Sequence, residues 1–375
     1  MKFSSLQENL KQGMFIVGHV AGKNINLPIL GNVMIETKNG DIKLITTDLE
    51  LGIINKIRGK IEKEGSFTIN SKIFYDYISL LPNKKIEIEQ KENNLIIKTE
   101  KYNTKIAGQS IEEFPLIPRI EKNSYISLNI KEFKKAVAQI IFAVSANESR
   151  IELSGIFFNI NKNRLTMAAT DSYRLAEKEI RINAGLEEEN KSIIIPAKTL
   201  QELIRILSAE QDIVGEDNGE IKIYLSESQI LFTFRLTELI SRLIEGQYPD
   251  YKQIIPPQGK TKAIVDRQEL LRAVKASSLF SKTGINDINL DFPSGQNKAI
   301  ISSTSGMVGE NIAEIDARVS GEDNGIVVNY RYLLDGLNNI DSENIIIEVI
   351  DNNTPCIIRP EKKEGYLYII MPIKQ

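Results

Sequence analysis

"KIEIEQKENNLIIKTEKYNTKI" (85–106) alternates apolar and polar residues, breaks at a Glu-Asn-Asn cluster, and alternates again. Period-two alternation around a turn-forming cluster is the pattern of a β-hairpin with one buried face. The design recurs as "EIKIYLSESQILFTFRLTELI" (220–240) and "NIIIEVIDNNTPCIIRPEKKEGYLYII" (344–370). A repeat at such long spacing makes the chain a series of similar modules.

Working outward, each hairpin follows a short helical pattern: "SKIFYDYISLLP" (71–82), "PAKTLQELIRILS" (196–208) and "NYRYLLDGLNNI" (329–340). In the second copy Leu200, Leu203, Ile204 and Leu207 fall on one face, which gives a helix with one buried stripe. A longer amphipathic helix opens each module, over 4–21, 129–146 and 266–282. A two-strand unit follows it, and its second copy contains "LTMAATDSYRLAEKEI" (165–180). "MAATDSYRL" there matches "ITTDLEL" in copy one and "ISSTSGM" in copy three. Thr-Asp at a strand end can bond nearby backbone and fix a turn. That explains Thr170 and Asp171 and leaves Ser172, Tyr173 and Arg174 unexplained.

Copies one and two end alike, in "AGQSIEEFPLIP" (107–118) and "EGQYPDYKQIIP" (245–256). We therefore expect domains over 1–121, 122–258 and 259–375. Each holds two helices packed on an antiparallel sheet of about eight short strands, an α+β class.

Composition narrows the function. The 375 residues carry 42% hydrophobic side chains and a net charge of −3, ordinary for a globular protein. Cys356 is the only cysteine and His19 the only histidine. No disulfide, no metal site of Cys or His, and no cofactor are expected. The opening residues lack a signal-peptide pattern, so the expected location is cytoplasmic. "ATDS" (169–172) has Ala169 where a paired-aspartate metal site needs a carboxylate, and two-metal chemistry needs both.

"LPILGN" (27–32), "TDLEL" (47–51), "ATDSYRLA" (169–176), "YPDY" (248–251) and "IIMPIKQ" (369–375), in this order along the whole chain, resemble the bacterial β sliding clamps, the processivity subunits of DNA polymerase III. The resemblance implies a head-to-tail homodimer, each chain supplying three clamp domains and hence half of a six-domain ring around duplex DNA. It implies no catalysis and no metal. The partners implied are double-stranded DNA held without sequence preference, the polymerase III catalytic subunit, the clamp loader, and other polymerases and repair proteins that carry a clamp-binding peptide.

Carried over by motif, the partner-peptide pocket comprises Leu153, Thr170, Ser172, Tyr173, Arg174, Leu175, Pro249, Gln253, Ile254, Ile285, Asn329, Tyr332, Pro355, Ile370, Met371, Pro372 and Ile373. Arg174 and the hydroxyls are expected to orient the peptide, and apolar residues to bury its Leu and Phe side chains. Gln253 stands where many members carry a basic residue. The dimer interface is expected to set Phe74, Tyr77 and Ile106 against Leu279 and Phe280.

Charge distribution fits an encircling protein. The six helical segments sum to +5 within the net −3, which leaves −8 elsewhere. Expected DNA-facing residues are Lys11, Lys23, Lys72, Lys134, Lys135, Arg150, Lys198, Arg205, Arg272, Lys275 and Arg331. Such binding is sequence-independent and salt-sensitive. Two other readings stay open at this level: a nuclease or polymerase using Asp48, Glu50 and Asp171, and a scaffold on the same repeated fold that does not bind DNA.

Overall fold

The computed structural model describes residues 1–22, 26–147, 149–184, 190–214, 219–362 and 365–374, with the backbone alone at 184 and 210–214. Six helices occur among them: α1 (Gln7–Val17), α2 (Ser71–Leu80), α3 (Ile130–Ala138), α4 (Ala197–Val214), α5 (Arg267–Ser278) and α6 (Tyr330–Asn339). All six fall on the helical patterns of the sequence. Their starts are chemically marked. Asn70, Asp266 and Asn329 place side-chain oxygens on the free N–H groups of Ile73, Glu269 and Arg331, which offsets part of the deficit at a helix N-terminus.

Helices α1 and α3 are much shorter than their patterns. Residues Lys2–Leu6 form a strand beside Lys85–Lys91, so α1 begins at Gln7 and not at residue 4. Phe3 thereby joins the core. α3 ends at Ala138, and Ile141–Ala143 form a 3-10 turn. β-branched Ile140 and Ile141 favour helix weakly, and the Phe142 carbonyl turns out to accept from Arg174.

The chain packs as two compact units. One contains the first module, the start of the second as far as Lys131, and residues 198–243. Its described strands form one hydrogen-bonded series of fourteen. The other contains most of residues 132–197 and everything from Ile244 onward, with a series of twelve strands. The middle repeat thus contributes strands to both units. In the first unit Thr237–Arg242 pairs antiparallel with Leu51–Ile57, with Ser241 opposite Leu51. In the second, Tyr366–Ile370 pairs with Arg174–Arg181, with Ile370 opposite Arg174. The same edge-to-edge joint is used twice. Each expected hairpin proves to be a three-strand meander, such as Lys85–Lys91, Asn94–Lys98 and Asn103–Gln109.

Candidate partner-binding site

The Thr-Asp turn repeats atom for atom. In copy two the Thr170 hydroxyl donates to the Arg174 carbonyl at 2.6 Å and accepts from the Ser172 N–H at 3.1 Å. Asp171 Oδ1 accepts from the N–H groups of Tyr173 and Arg174 at 2.9 and 3.0 Å. In copy one Thr47 and Asp48 make the matching bonds to Leu49, Glu50 and Leu51. Ser172 and Leu49 both take positive φ, 77° and 82°. Each aspartate is occupied by its own turn, as its position at a strand end demands.

This turn sets the direction of its neighbours. Tyr173 points outward with 63% of its surface exposed. It stacks loosely on Tyr332 of α6, ring centres 6.4 Å apart at 22°. Its carbonyl accepts from the Met371 N–H at 2.8 Å, so the C-terminal segment runs alongside. Ile373 donates to the Val327 carbonyl at 2.8 Å, which leaves Pro372 between two anchored residues. Thr170, Ser172, Tyr173, Tyr332, Met371 and Pro372 are therefore brought together.

Arg174 is tied to the protein itself. Its Nε donates to Asp171 Oδ2 at 2.9 Å, Nη1 to Asp335 Oδ2 at 2.5 Å and Nη2 to the Phe142 carbonyl at 2.9 Å. The guanidinium also lies 4.6 Å from the Tyr332 ring centre. Three of its five N–H groups are held by the protein's own oxygens, so it also braces the segment beside Tyr173. Asp335 and Phe142 were missed by sequence reasoning. Asp335 lies three residues past Tyr332 on the same helical face, the one available signal.

Other expected residues fall in layers. Leu153 and Leu175 are buried in one apolar cluster with Tyr248, Tyr251, Ile357, Leu367 and Ile369. Ile370 is buried as well, so these three form floor and not rim. Tyr251 donates to Glu177 Oε2 at 2.5 Å; burial and that carboxylate push its phenol up, keeping the proton in the bond. Pro249 and Pro355 are half-buried, and Ile254 and Ile285 are exposed. Gln253 donates to Asp250 at 3.0 Å. Asn329, expected in the pocket, uses its side-chain oxygen as the α6 cap. Below the site, Gly336 of α6 leaves room for the Tyr368 ring, which a Cβ would approach to 2.2 Å. Tyr368 then donates to the Tyr332 carbonyl at 2.7 Å.

The basic residues divide. Lys11, Lys72, Arg272, Lys275 and Arg331 are exposed. Lys134 is half-buried, Lys135 pairs with Asp341, and Lys198 with Asp48. Arg205, expected toward DNA, is turned inward. It bonds Glu202 twice and the Phe15 and Ile16 carbonyls at the end of α1. His19 Nδ1 meets the same buried Glu202 at 2.7 Å. Arg150 likewise donates to Glu152 and to Ser172 Oγ, at the edge of the site above. Lys23 lies outside the described residues.

One expected interface residue is corrected. Phe74 has no exposed surface and belongs to the core. The outward face of α2 carries Ile73, Tyr77 and Leu80 instead, at helical spacings of four and three. Leu279 is 73% exposed and Phe280 half-buried.

Comparison with known proteins agrees along the full length. Models of the N-terminal, central and C-terminal domains of the DNA polymerase III beta subunit match residues 1–118, 127–250 and 252–374. The beta sliding clamp of Staphylococcus aureus is 31% identical over 93% of this chain and 92% of its own length, and that of Staphylococcus epidermidis is 30% identical over the same shares. The crystal structure of the DNA polymerase sliding clamp from Bacillus subtilis superposes with a TM-score of 0.93, at 27% identity, over 100% of this chain and 99% of that one. A putative DNA polymerase III beta subunit from Eubacterium rectale gives 0.92 at 28% identity over all of both chains. With its three domains matched in order over nearly their whole length, the chain belongs to the DNA polymerase III beta subunit family, the bacterial sliding clamps, which are non-catalytic processivity subunits.

Proposed function

We propose that two copies of this chain close head to tail into a ring of six domains around duplex DNA. The ring tethers the replicative polymerase, and in turn the clamp loader and other polymerases and repair proteins, from the cytoplasm onto the nucleoid. The observation that carries this is the match of all three clamp domains, in order, over nearly the whole chain. The domain limits remain those proposed from the sequence, near residues 121 and 258.

Closure is supported by two unpartnered apolar edges. In the first unit Ile73, Leu80 and Tyr102 are exposed, beside the strand Asn103–Gln109, whose residues 103–107 pair only with Asn94–Lys98 among the described residues. In the second unit Leu279, Met307, Val308 and Ile312 are exposed. Residues 309–316 there pair only with Lys298–Ser305 among the described residues. A strand edge flanked by apolar side chains invites a second strand. Two different patches on one chain make a heterologous contact, which can close as a ring.

Partner proteins bind at the Tyr173–Tyr332–Met371 site through a short peptide. Tyr173, Tyr332, Met371 and Pro372 present apolar surface to it, Ser172 and Arg150 its polar edge, and Arg174 holds the wall in place. Loading onto nicked circular DNA and release on linearisation test the ring; equal retention on both forms would sink it.

A further inference from the structure

Copy one carries its own counterpart of the partner site. The turn bonds match, Leu49 and Ser172 share positive φ, and the closing strand has the same register. Arg242 donates its backbone N–H to the Glu50 carbonyl at 2.9 Å, as Met371 does to Tyr173. By that register Glu50 stands for Tyr173, Gly52 for Leu175 and Arg242 for Met371. At this place the first unit has a cavity of about 290 Å³, lined among others by Leu49, Glu50, Pro115, Ile117, Ile240 and Arg242.

We propose that this cavity is a second docking site, for an extended partner peptide with one branched aliphatic side chain between a basic and an acidic residue. The inference rests on reading the second-unit site as a peptide pocket. Two features define the occupant. Gly52 lacks the side chain that Leu175 contributes, and Ile117 moves into that space, 2.9 Å from where a Cβ would stand. The walls are aliphatic, formed by Leu49, Ile117 and Ile240, with Leu49 in the place of Ser172 and Ile240 in that of Ile369; among the described residues no tyrosine lines the cavity, which suits one branched aliphatic group. The mouth is charged as well. Exposed Glu50 and Arg242 stand where the other site has Tyr173 and Met371, so complementary charges on the peptide would fix its direction. Leu116, with 95% of its surface open, extends the apolar rim.

The test is methyl NMR on the full chain, labelled at Leu and Ile. Two probes are titrated, acetyl-Lys-Ser-Leu-Ser-Glu-amide and acetyl-Gln-Leu-Ser-Leu-Phe-amide. The charged probe should shift Leu49, Ile117 and Ile240 saturably. Glu50→Lys, a change on an exposed side chain, should weaken this at least about tenfold, while Met371→Ala leaves it unchanged. No shift of these methyls up to about 5 mM, a free energy near −3 kcal/mol, would overturn the proposal. So would shifts confined to Leu153 and Ile369, or shifts indifferent to Glu50→Lys. The reading of the other site is judged separately: it fails if acetyl-Gln-Leu-Ser-Leu-Phe-amide leaves Leu153 and Ile369 unmoved, whatever the first-unit methyls do.

Discussion

Arg174 and Asp335 form an ion pair, Nη1 to Oδ2 at 2.5 Å, that ties the middle repeat to helix α6 of the third. The arginine side chain is 11% exposed and the aspartate 47%, so water screens one partner only. Removing the arginine takes the guanidinium donors from Asp171 Oδ2 and the Phe142 carbonyl. Arg174→Ala should cost about 2–4 kcal/mol, below the full value of a buried pair because Asp335 is open to solvent. Asp335→Asn should cost within about 1 kcal/mol. Denaturant melts give both values. Binding of acetyl-Gln-Leu-Ser-Leu-Phe-amide should weaken in both variants, in the same order. A stable Arg174→Ala protein with abolished binding would instead make the arginine a direct ligand contact.

The paired turns predict a contrast. Asp171→Ala and Asp48→Ala each strip two N–H groups of an acceptor, at about 1–2 kcal/mol, and Asp171→Ala should cost more because it also takes the carboxylate from the largely buried Arg174 Nε. Leu49→Asn should go the other way. A bulky residue at φ 82° carries about 1 kcal/mol of strain that asparagine largely avoids. Thermal melts of the three variants check the signs. An enzyme reading requires Asp171→Ala to abolish a divalent-metal-dependent turnover, and no such loss is expected.

The hairpins, the six helices and the repeated turn were legible because period and turn chemistry are local. Ser4–Leu6 reads as helix in the sequence but belongs to the strand Lys2–Leu6, whose partner begins at residue 85, far along the chain. The internal partners of Arg174 and Arg205 were not legible, because sequence shows a charge and not the carbonyls and carboxylates that fold back onto it. Phe74 shared an apolar helix with Ile73 and Tyr77, and only the packing of α2 decides which face is inside. The edge pairing of residues 237–242 with 51–57 had no signal in one sequence, since strand edges carry little pattern of their own.

The proposed dimer contact separates core from surface. Phe74→Ala opens a cavity in the core and should cost about 3–5 kcal/mol. Leu80→Asp and Ile312→Asp alter exposed side chains and should leave folding within about 0.5 kcal/mol. Each should nevertheless lower the light-scattering mass from dimer to monomer at micromolar concentration. A dimer that survives both substitutions would move the interface elsewhere.

Alkali should destabilise the fold. Burial pushes the Cys356 thiol up to about 12 from 9.0, and burial also raises the Tyr366 and Tyr248 phenols. These groups are neutral when folded, so their contribution is intact below the unfolded pKa. Above about pH 9 the unfolded thiol ionises first, and stability falls with a slope approaching 1.4 kcal/mol per pH unit for each such group. Denaturation midpoints from pH 7.5 to 10.5 should drop, and Cys356→Ala should flatten the part nearest pH 9. In native protein the thiol should resist alkylation at pH 8.

The basic residues make two different predictions about DNA. Arg272 and Lys275 are exposed on α5, so Arg272→Glu and Lys275→Glu should leave melting unchanged and weaken retention on circular DNA. Removing one cation that meets a phosphate should make the slope of log affinity against log salt shallower by about 0.9. Arg205 is held by Glu202 and two carbonyls of α1, so Arg205→Ala should act on stability instead. It deprives the buried Glu202 carboxylate of its guanidinium and leaves it facing His19, at a cost of about 2–3 kcal/mol, and the salt slope should stay as in the wild type. Retention measured between 50 and 200 mM salt, an interval over which phosphate contacts weaken steeply, distinguishes the two classes. If Arg205→Ala flattened the slope while Arg272→Glu did not, the DNA-facing surface would lie along α4 and not α5.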